Sequence, residues 1–178
     1  FPGTVSAEPR LYLDLLINLM DNMIGHGFQR IVLLNGHGGN IVPSQQATFE
    51  LRQRYRQRPD LLLVAATYWT LGGQPHLVNP QIQQQRMGHA CEFETSMILR
   101  IAPQLVRNHQ GTEPVEFGNG FEPASRAWIT QDRTRPGHIG DPRGATAEKG
   151  ETIFEVFSND VVALLERMCA WDGSSWNG

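Results

Sequence analysis

The first 70 residues alternate between segments with helical spacing of apolar side chains and short continuous apolar runs. Over residues 8–25, apolar side chains recur three and four positions apart, as in an amphipathic helix. Residues 30–34 form an apolar run typical of a strand buried on both faces of a parallel sheet. The same reasoning predicts a helix over 42–57 and a strand over 61–69. This order predicts an α/β layered fold in which a right-handed crossover joins parallel strands.

Beyond residue 70 the pattern is less regular. Residues 71–88 are rich in Gly, Pro and Gln and are predicted to form a loop with a short helix near 79–86. Helices are predicted over 92–101 and 146–169 from their apolar spacing. Residues 104–145 show no clear periodicity of apolar side chains. Because this segment is long for a connection in a compact domain, short strands or a functional loop are expected there.

Composition narrows the class of protein. The chain has 178 residues, of which 40% are hydrophobic and 19% charged, with a net charge of −3, which suits a folded domain and not a disordered chain. Its 15 Lys and Arg against 18 Asp and Glu do not support a nucleic-acid partner. The richest apolar stretch, 61–66, is far shorter than the roughly 20 residues of a membrane span, so no membrane partner is expected. Cys91 and Cys169 form no disulfide framework, which favours a cytoplasmic setting.

The strongest candidate for a functional site is the sequence NGHGGN over 35–40, at the carboxyl end of the first predicted strand. Open α/β sheets bind ligands at that end of their strands. The imidazole of His37 could face a metal or a substrate, and the backbone of Gly38, Gly39 and Asn40 could approach a ligand closely. The alternative is a tight strand-to-helix turn with an incidental histidine. The glycine spacing does not match the GxGxxG nucleotide fingerprint.

A second candidate is the sequence GHACEFETS over 88–96, at the start of a predicted helix. A histidine with nearby carboxylates suits general acid–base chemistry or metal binding. On a helix, His89 and Glu92 would share a face because they are three residues apart, whereas Glu94 would point elsewhere. The alternative is that both glutamates only stabilise the helix N-terminus.

Other residues carry less information. Trp69 ends the second predicted strand and either belongs to the core or lines the mouth of a pocket. Four further histidines have no neighbouring residues at a spacing that suggests catalysis or metal binding, and they are expected at the surface or in ordinary hydrogen bonds: His26, His76, His109 and His138. Residues 137–143 are interpreted as a cluster of turns.

Taken together, the motifs resemble the creatininase family. The resemblance rests on FPGT over 1–4, LNGHGGN over 34–40, HACEFETS over 89–96 and GDPR over 140–143, in that order. It implies an α/β three-layer sandwich with a parallel-rich sheet, usually assembled as a homo-hexamer. It also implies two divalent ions, zinc or manganese, with a bridging water or hydroxide that attacks a cyclic amide or a related carbonyl of a small-molecule substrate.

The resemblance assigns roles to several residues. By position, His37 matches a metal ligand, His89 matches the catalytic histidine that passes a proton to the leaving nitrogen, and Trp69 matches an aromatic residue that packs over the substrate. Gly38, Gly39 and Asn40 are assigned to substrate binding with Trp69.

One departure from the family pattern affects the metal site. The enzyme that gives the family its name has a metal-binding glutamate at the position of Gly39. Another carboxylate must therefore replace it, and Glu94 is preferred as the metal ligand. Glu92 is the second choice for that ligand and is assigned to catalysis beside His89.

A second departure concerns the length of the chain. In the family, a glutamate, a histidine and a bridging aspartate precede FPGT, and these ligands have no counterpart here. We therefore expect residues 1–178 to form a single creatininase-like domain that lacks its N-terminal portion and holds about half of the metal site. The leading function is metal-dependent hydrolysis of a cyclic amide-type C–N bond. The alternatives are hydrolysis of a formamide, a short peptide or a cyclic ketone, or a non-catalytic remnant.

Overall fold

A computed structural model describes residues 3–176, so Phe1 and Pro2 of the FPGT motif lie outside the described residues. The chain divides into two compact units. One unit is Gly73–Phe157, and the other comprises residues 3–72 and 158–176 of the described chain. No helix in residues 3–176 is both long and apolar enough to span a membrane.

The predicted order of elements is confirmed, with small shifts at their ends. The helices and strands are α1 (Pro9–Gly25), β1 (Arg30–Asn35), α2 (Ile41–Arg54), β2 (Leu62–Thr67), α3 (Pro75–Val78), α4 (Glu92–Ile101), α5 (Thr130–Arg133) and α6 (Ala147–Ala170). The short helix expected near 79–86 is absent, and α3 forms earlier because a proline at its first turn favours helix initiation. Residues 104–145 contain short 3₁₀ turns, α5 and isolated β-bridges.

Strands β1 and β2 pair in parallel, in register from Arg30 opposite Leu62 to Asn35 opposite Thr67. Alternate side chains of the strands point to opposite faces of this sheet. One face packs against α1 and α2 through the cluster of Leu13, Ile17, Met20, Ile24, Ile31, Ala47, Leu51 and Leu61. The other face packs against α6 through Ala66, Leu164 and Met168. The sheet therefore lies between two helical layers, which confirms the predicted α/β fold class.

The prediction that β1 is buried on both faces is wrong. Leu34 is 50% exposed, whereas Ile31 and Asn35 are buried. Leu34 points to the face opposite Ile31, where the α6 cluster contacts Val32 but leaves the Leu34 side chain open. An apolar run in the sequence does not report whether a second layer covers every position.

In the unit Gly73–Phe157, α4 packs closely against the start of α6. Phe93 and Phe157 have ring centroids 6.1 Å apart. A Cβ atom added to Gly150 would lie 2.1 Å from the carbonyl oxygen of Ser96, so only glycine allows this approach. The backbone amide of Thr146 donates a hydrogen bond to Ser96 Oγ at 3.2 Å. These contacts fix the N-terminal end of α4, which carries the HACEFETS motif.

Candidate active site

The HACEFETS motif is held in place by the segment that precedes the GDPR sequence. The backbone amide of His89 donates a hydrogen bond to the Ile139 carbonyl at 3.0 Å, and the Ile139 amide donates one to the His89 carbonyl at 2.7 Å. A Cβ atom on Gly88 would lie 2.1 Å from the Ile139 oxygen, so the residue before His89 must be glycine. The His89 side chain remains exposed. The bridge therefore fixes the backbone of His89 and leaves its imidazole accessible.

His89 and Glu92 do not share a helix face. Helix α4 begins at Glu92, and His89 lies before it in the bridge to Ile139. The prediction from three-residue spacing is wrong because that spacing applies only within a helix. The structure instead places His89 and Glu94 on the wall of one cavity of about 460 Å³. The Glu94 carboxylate also accepts a hydrogen bond from the backbone amide of Ala90.

The turn between His89 and α4 is strained. Ala90 has φ +45°, in the left-handed region that costs a non-glycine residue about 1–2 kcal/mol. Its carbonyl accepts a hydrogen bond from Thr95 Oγ1 at 3.2 Å. This turn brings the Glu94 side chain back over the residue that follows His89.

Replacing Ala90 with glycine is expected to raise the free energy of unfolding by up to about 1 kcal/mol. Glycine relieves the strain at φ +45°, and its greater chain entropy offsets only about 0.5–1 kcal/mol of that gain. Urea unfolding measures the change. Ala102→Gly is the control, because Ala102 has φ −151° and gains no relief. Equal destabilisation by both substitutions would contradict this interpretation of the turn.

Glu92 lies in a separate, buried environment. Its carboxylate accepts hydrogen bonds from the backbone amides of Gln83 (3.0 Å) and Gln84 (2.8 Å) and from Lys149 Nζ (2.6 Å). Lys149 Nζ also donates to the Gly144 carbonyl at 2.6 Å. Both carboxylate oxygens of Glu92 are therefore engaged, and its side chain is only 3% exposed. This geometry favours a structural role for Glu92 over the catalytic role predicted from the sequence.

The turn segment 137–143 contributes more than the sequence interpretation allowed. His138 lines the cavity of His89 and Glu94, and its Nε2 lies 2.7 Å from the Glu113 carbonyl oxygen. Because a carbonyl only accepts hydrogen bonds, Nε2 carries the proton. Further along, Arg143 donates two guanidinium hydrogen bonds to Asp141, at 2.9 and 2.7 Å, and these hold the pKa of that carboxyl below its usual value.

Arg107 and His109 also line this cavity, although no sequence motif pointed to a function for either residue. Both lie in the segment 104–145, which has no helix or strand period. The only sequence signal was the length of that segment, which predicted short strands or a functional loop without indicating which residues matter.

The other candidate residues lie in the unit that contains the sheet. The Asn35 side chain donates to the His37 carbonyl at 2.9 Å and to Thr67 Oγ1 at 3.0 Å. Its amide oxygen accepts from the backbone amide of His37 at 3.0 Å. Asn35 thus holds the histidine turn at the carboxyl end of β1 and ties it to the end of β2. The side chain of His37 is exposed.

Gly38, Gly39 and Asn40 form one 3₁₀ turn that leads into α2. A Cβ atom on Gly39 would lie 3.0 Å from His37 Cε1, so a side chain there would crowd the imidazole. Trp69 lies in the turn after β2 and packs edge-on against Tyr68, with ring centroids 4.8 Å apart. The histidine turn and the tryptophan turn therefore follow paired strand ends, Asn35 and Thr67.

The ligand set for a metal is incomplete in the described chain. Imidazole and carboxylate groups are suitable donors for zinc or manganese. Within residues 3–176, however, no three side chains of His, Cys, Asp or Glu are arranged to hold a metal ion. His37 belongs to the unit with the sheet, and His89 and Glu94 belong to the unit Gly73–Phe157. The described residues supply candidate ligands but not a whole metal centre.

Comparisons with known proteins relate these motifs to one family. The family model for creatininase, described as creatinine amidohydrolase, matches residues 1–165. The creatinine amidohydrolase of Pseudomonas putida is 29% identical over 163 residues, which cover 88% of this chain and 62% of that protein. The mycofactocin precursor peptide peptidase of Mycolicibacterium smegmatis is 30% identical over 172 residues, which cover 94% of this chain and 60% of that protein.

Solved structures show the same relationship. A structure described as "Creatininase Mn" superposes with a TM-score of 0.74 at 27% identity, covering 94% of this chain and 67% of that one. A mutant creatininase described as Zn-Zn type gives a TM-score of 0.71 at 28% identity, with the same coverage. The chain spans 60–62% of the length of the two curated relatives. Since one family model accounts for residues 1–165, including both histidine motifs in their order, the chain belongs to the creatininase family.

Proposed function

We propose that this chain carries part of the active site of a metal-dependent hydrolase that cleaves an amide-type C–N bond. The observation that carries the proposal is the cavity of about 460 Å³ on whose wall His89 and Glu94 lie together. Family membership supports the reaction class, because the matched relatives are named as an amidohydrolase and a peptidase.

His89 is proposed to move the proton that C–N cleavage requires. Hydrolysis adds the oxygen of water to the carbonyl carbon and breaks the bond to nitrogen, and the departing nitrogen must gain a proton. Imidazole can accept and donate protons near neutral pH, so one histidine can serve both steps. His89 suits this role because its backbone is fixed by the bridge to Ile139 and its side chain is exposed.

By resemblance to the family, His37 and Glu94 are each proposed as a ligand of a divalent metal ion. A divalent ion supplies Lewis acidity and an activated water when bound. The other ligands are proposed to come from sequence that the longer relatives have and this chain does not span. By resemblance to the family, we also propose two zinc or manganese ions, a homo-oligomer such as a hexamer, and a cytoplasmic location.

A short peptide is a second candidate substrate beside a cyclic amide. The peptidase relative matches 94% of this chain at 30% identity. Gly39 also leaves open the position where the resemblance places a metal-binding glutamate in the enzyme that gives the family its name. Trp69, Gly38, Gly39 and Asn40 are proposed to contact the substrate, with Trp69 packing over its face.

Metal content tests the ligand assignment directly. The protein is purified in trace zinc and manganese, and metal per chain is measured for this chain and for a version extended upstream by the additional segment of its relatives. We expect about two ions in the extended version and one or none in this chain. His37→Ala and Glu94→Gln are expected to lower the content of the extended version by about one ion each.

Two control variants make the metal experiment specific. His26→Ala removes a histidine at the end of α1, and Glu92→Gln removes the buried carboxylate, and neither is expected to change the metal content. If Glu92→Gln loses metal and Glu94→Gln does not, the assignment of the two carboxylates is reversed. If the extended version binds no metal, the proposed reaction class is wrong, and the chain has kept the family motifs without the catalytic activity.

A further inference from the structure

The cavity of His89 and Glu94 has an excess of basic groups. Arg107, His89, His109 and His138 line it, and Glu94 is the carboxylate among its described lining residues. A guanidinium keeps its positive charge at all physiological pH values. Once the Glu94 charge is balanced by a bound cation, as proposed above, the remaining fixed charge on the cavity wall is the positive charge of Arg107.

Arg107 differs from most arginines in its unit, because no described residue binds its guanidinium. Arg86, Arg100 and Arg143 form ion pairs with Glu122, Glu151 and Asp141. Arg126 and Arg133 lie over the rings of Phe121 and Trp128. Within residues 3–176, Arg107 has no ion pair, side-chain hydrogen bond or ring contact, although it lines the cavity. Its five N–H donors are therefore available to a ligand.

The turn that follows Arg107 is tightly built. Asn108 has φ +49°, and the backbone amide of Gly111 donates to the Asn108 carbonyl at 3.2 Å. Thr112 Oγ1 donates to the His109 carbonyl at 2.7 Å. These bonds order the backbone beside Arg107 before any ligand binds, which reduces the entropy lost on binding.

We propose that Arg107 binds a carboxylate of the substrate, so that the enzyme prefers amides whose leaving amine carries a carboxylate, as in the C-terminal residue of a short peptide. This inference rests on the proposed function. Guanidinium binds carboxylate through two parallel hydrogen bonds, a geometry that specifies orientation as well as charge. Because His89 is assigned to protonate the leaving nitrogen and lines the same cavity, the carboxylate belongs to the amine side of the scissile bond.

Binding is measured first, because it does not depend on turnover. N-acetyl-L-alanine and N-acetyl-L-alaninamide contain the same acetyl amide and differ by the carboxylate. We expect the metal-loaded protein extended upstream to bind the carboxylate compound about 10- to 100-fold more tightly, and Arg107→Gln to remove that preference. Arg107→Lys is expected to retain only part of it, because an ammonium group cannot form the bidentate pair.

Arg135→Gln is the matched control. Arg135 is in the same unit and has no described partner, but it does not line the cavity, so its loss is expected to leave the preference unchanged. Equal binding of the two compounds by the wild type, or an unchanged preference in Arg107→Gln, would overturn the proposal. Thermal unfolding of each variant shows whether a lost preference reflects a lost fold, and a preference lost only through unfolding would also count against it.

Turnover then separates this inference from the proposed function. Release of acetate from both compounds is followed with the metal-loaded protein extended upstream. The expected result for Arg107→Gln is a KM about 10- to 100-fold higher for N-acetyl-L-alanine with little change in kcat. If the Arg107-dependent binding preference is present but neither compound is hydrolysed, the carboxylate site stands and hydrolysis of these amides is rejected.

Discussion

Lys149→Met is expected to lower the free energy of unfolding by about 3–5 kcal/mol, because it leaves the Glu92 carboxylate buried without its charge partner. The two side chains are only 9% and 3% exposed, and Nζ lies 2.6 Å from the nearer carboxylate oxygen. Methionine fills much of the space of lysine but cannot donate a hydrogen bond to Glu92 or to the Gly144 carbonyl. Urea unfolding followed by circular dichroism measures the loss.

A double-mutant cycle shows whether the pair itself is responsible. Glu92→Gln keeps an oxygen that can accept from the amides of Gln83 and Gln84, and the double variant with Lys149→Met removes both charges. We expect the double variant to recover much of the stability that Lys149→Met loses. Arg143→Met, which breaks the more exposed pair with Asp141, is the control and is expected to change stability little. A strictly additive double variant would contradict the coupling.

Lys149 offers a direct probe of burial, since it is the only lysine in the chain. An amine-reactive reagent can therefore label only the chain terminus and Lys149 Nζ. In the folded protein we expect labelling of Lys149 to be slow, and to accelerate as urea unfolds the unit. Rapid labelling in the native state would contradict the buried ion pair.

Replacing His89 with alanine is expected to lower kcat for amide hydrolysis by about 10²–10⁴-fold, the usual contribution of a positioned general acid–base group. The backbone bridge to Ile139 does not involve the imidazole, so the fold is expected to persist. Activity is measured with the metal-loaded protein extended upstream, on a cyclic amide, a formamide and a short peptide. Metal content is determined in the same samples to separate loss of proton transfer from loss of metal.

Chemical rescue distinguishes proton transfer by His89 from metal binding by His89. Added imidazole is expected to restore part of the activity of His89→Ala, because it can occupy the vacated space and transfer the proton. His26→Ala, outside this unit, is the control and is expected to keep full activity. Full turnover by His89→Ala without imidazole would reject the assigned proton transfer. A fall in activity that imidazole does not restore and that matches a loss of metal would make His89 a ligand instead.

The elements that could be predicted from the sequence are those with a regular spacing of apolar side chains or with clear helix-breaking Gly and Pro residues at their ends. The helix of α1 and the parallel pairing of β1 and β2 follow from apolar spacing and from the order of helices and strands. α4 begins and ends where it was predicted, at Glu92 and Ile101. The segment 104–145 could not be predicted, since its bridges pair residues distant in sequence and leave no local period.

The same distinction holds for the candidate site. The α/β class, the NGHGGN turn at the end of a strand and the motif that carries His89 and the two glutamates could be predicted from local spacing alone. The separation of the glutamates could not, because it depends on the fold: Glu94 lies in the cavity of His89, and Glu92 is buried against Lys149, which is 57 residues away in the chain. The fold also brought Arg107 and His138 to that cavity. The reason is physical: the chain folds back to pair Ile139 with His89, and contacts between distant residues are not encoded in any single stretch of sequence.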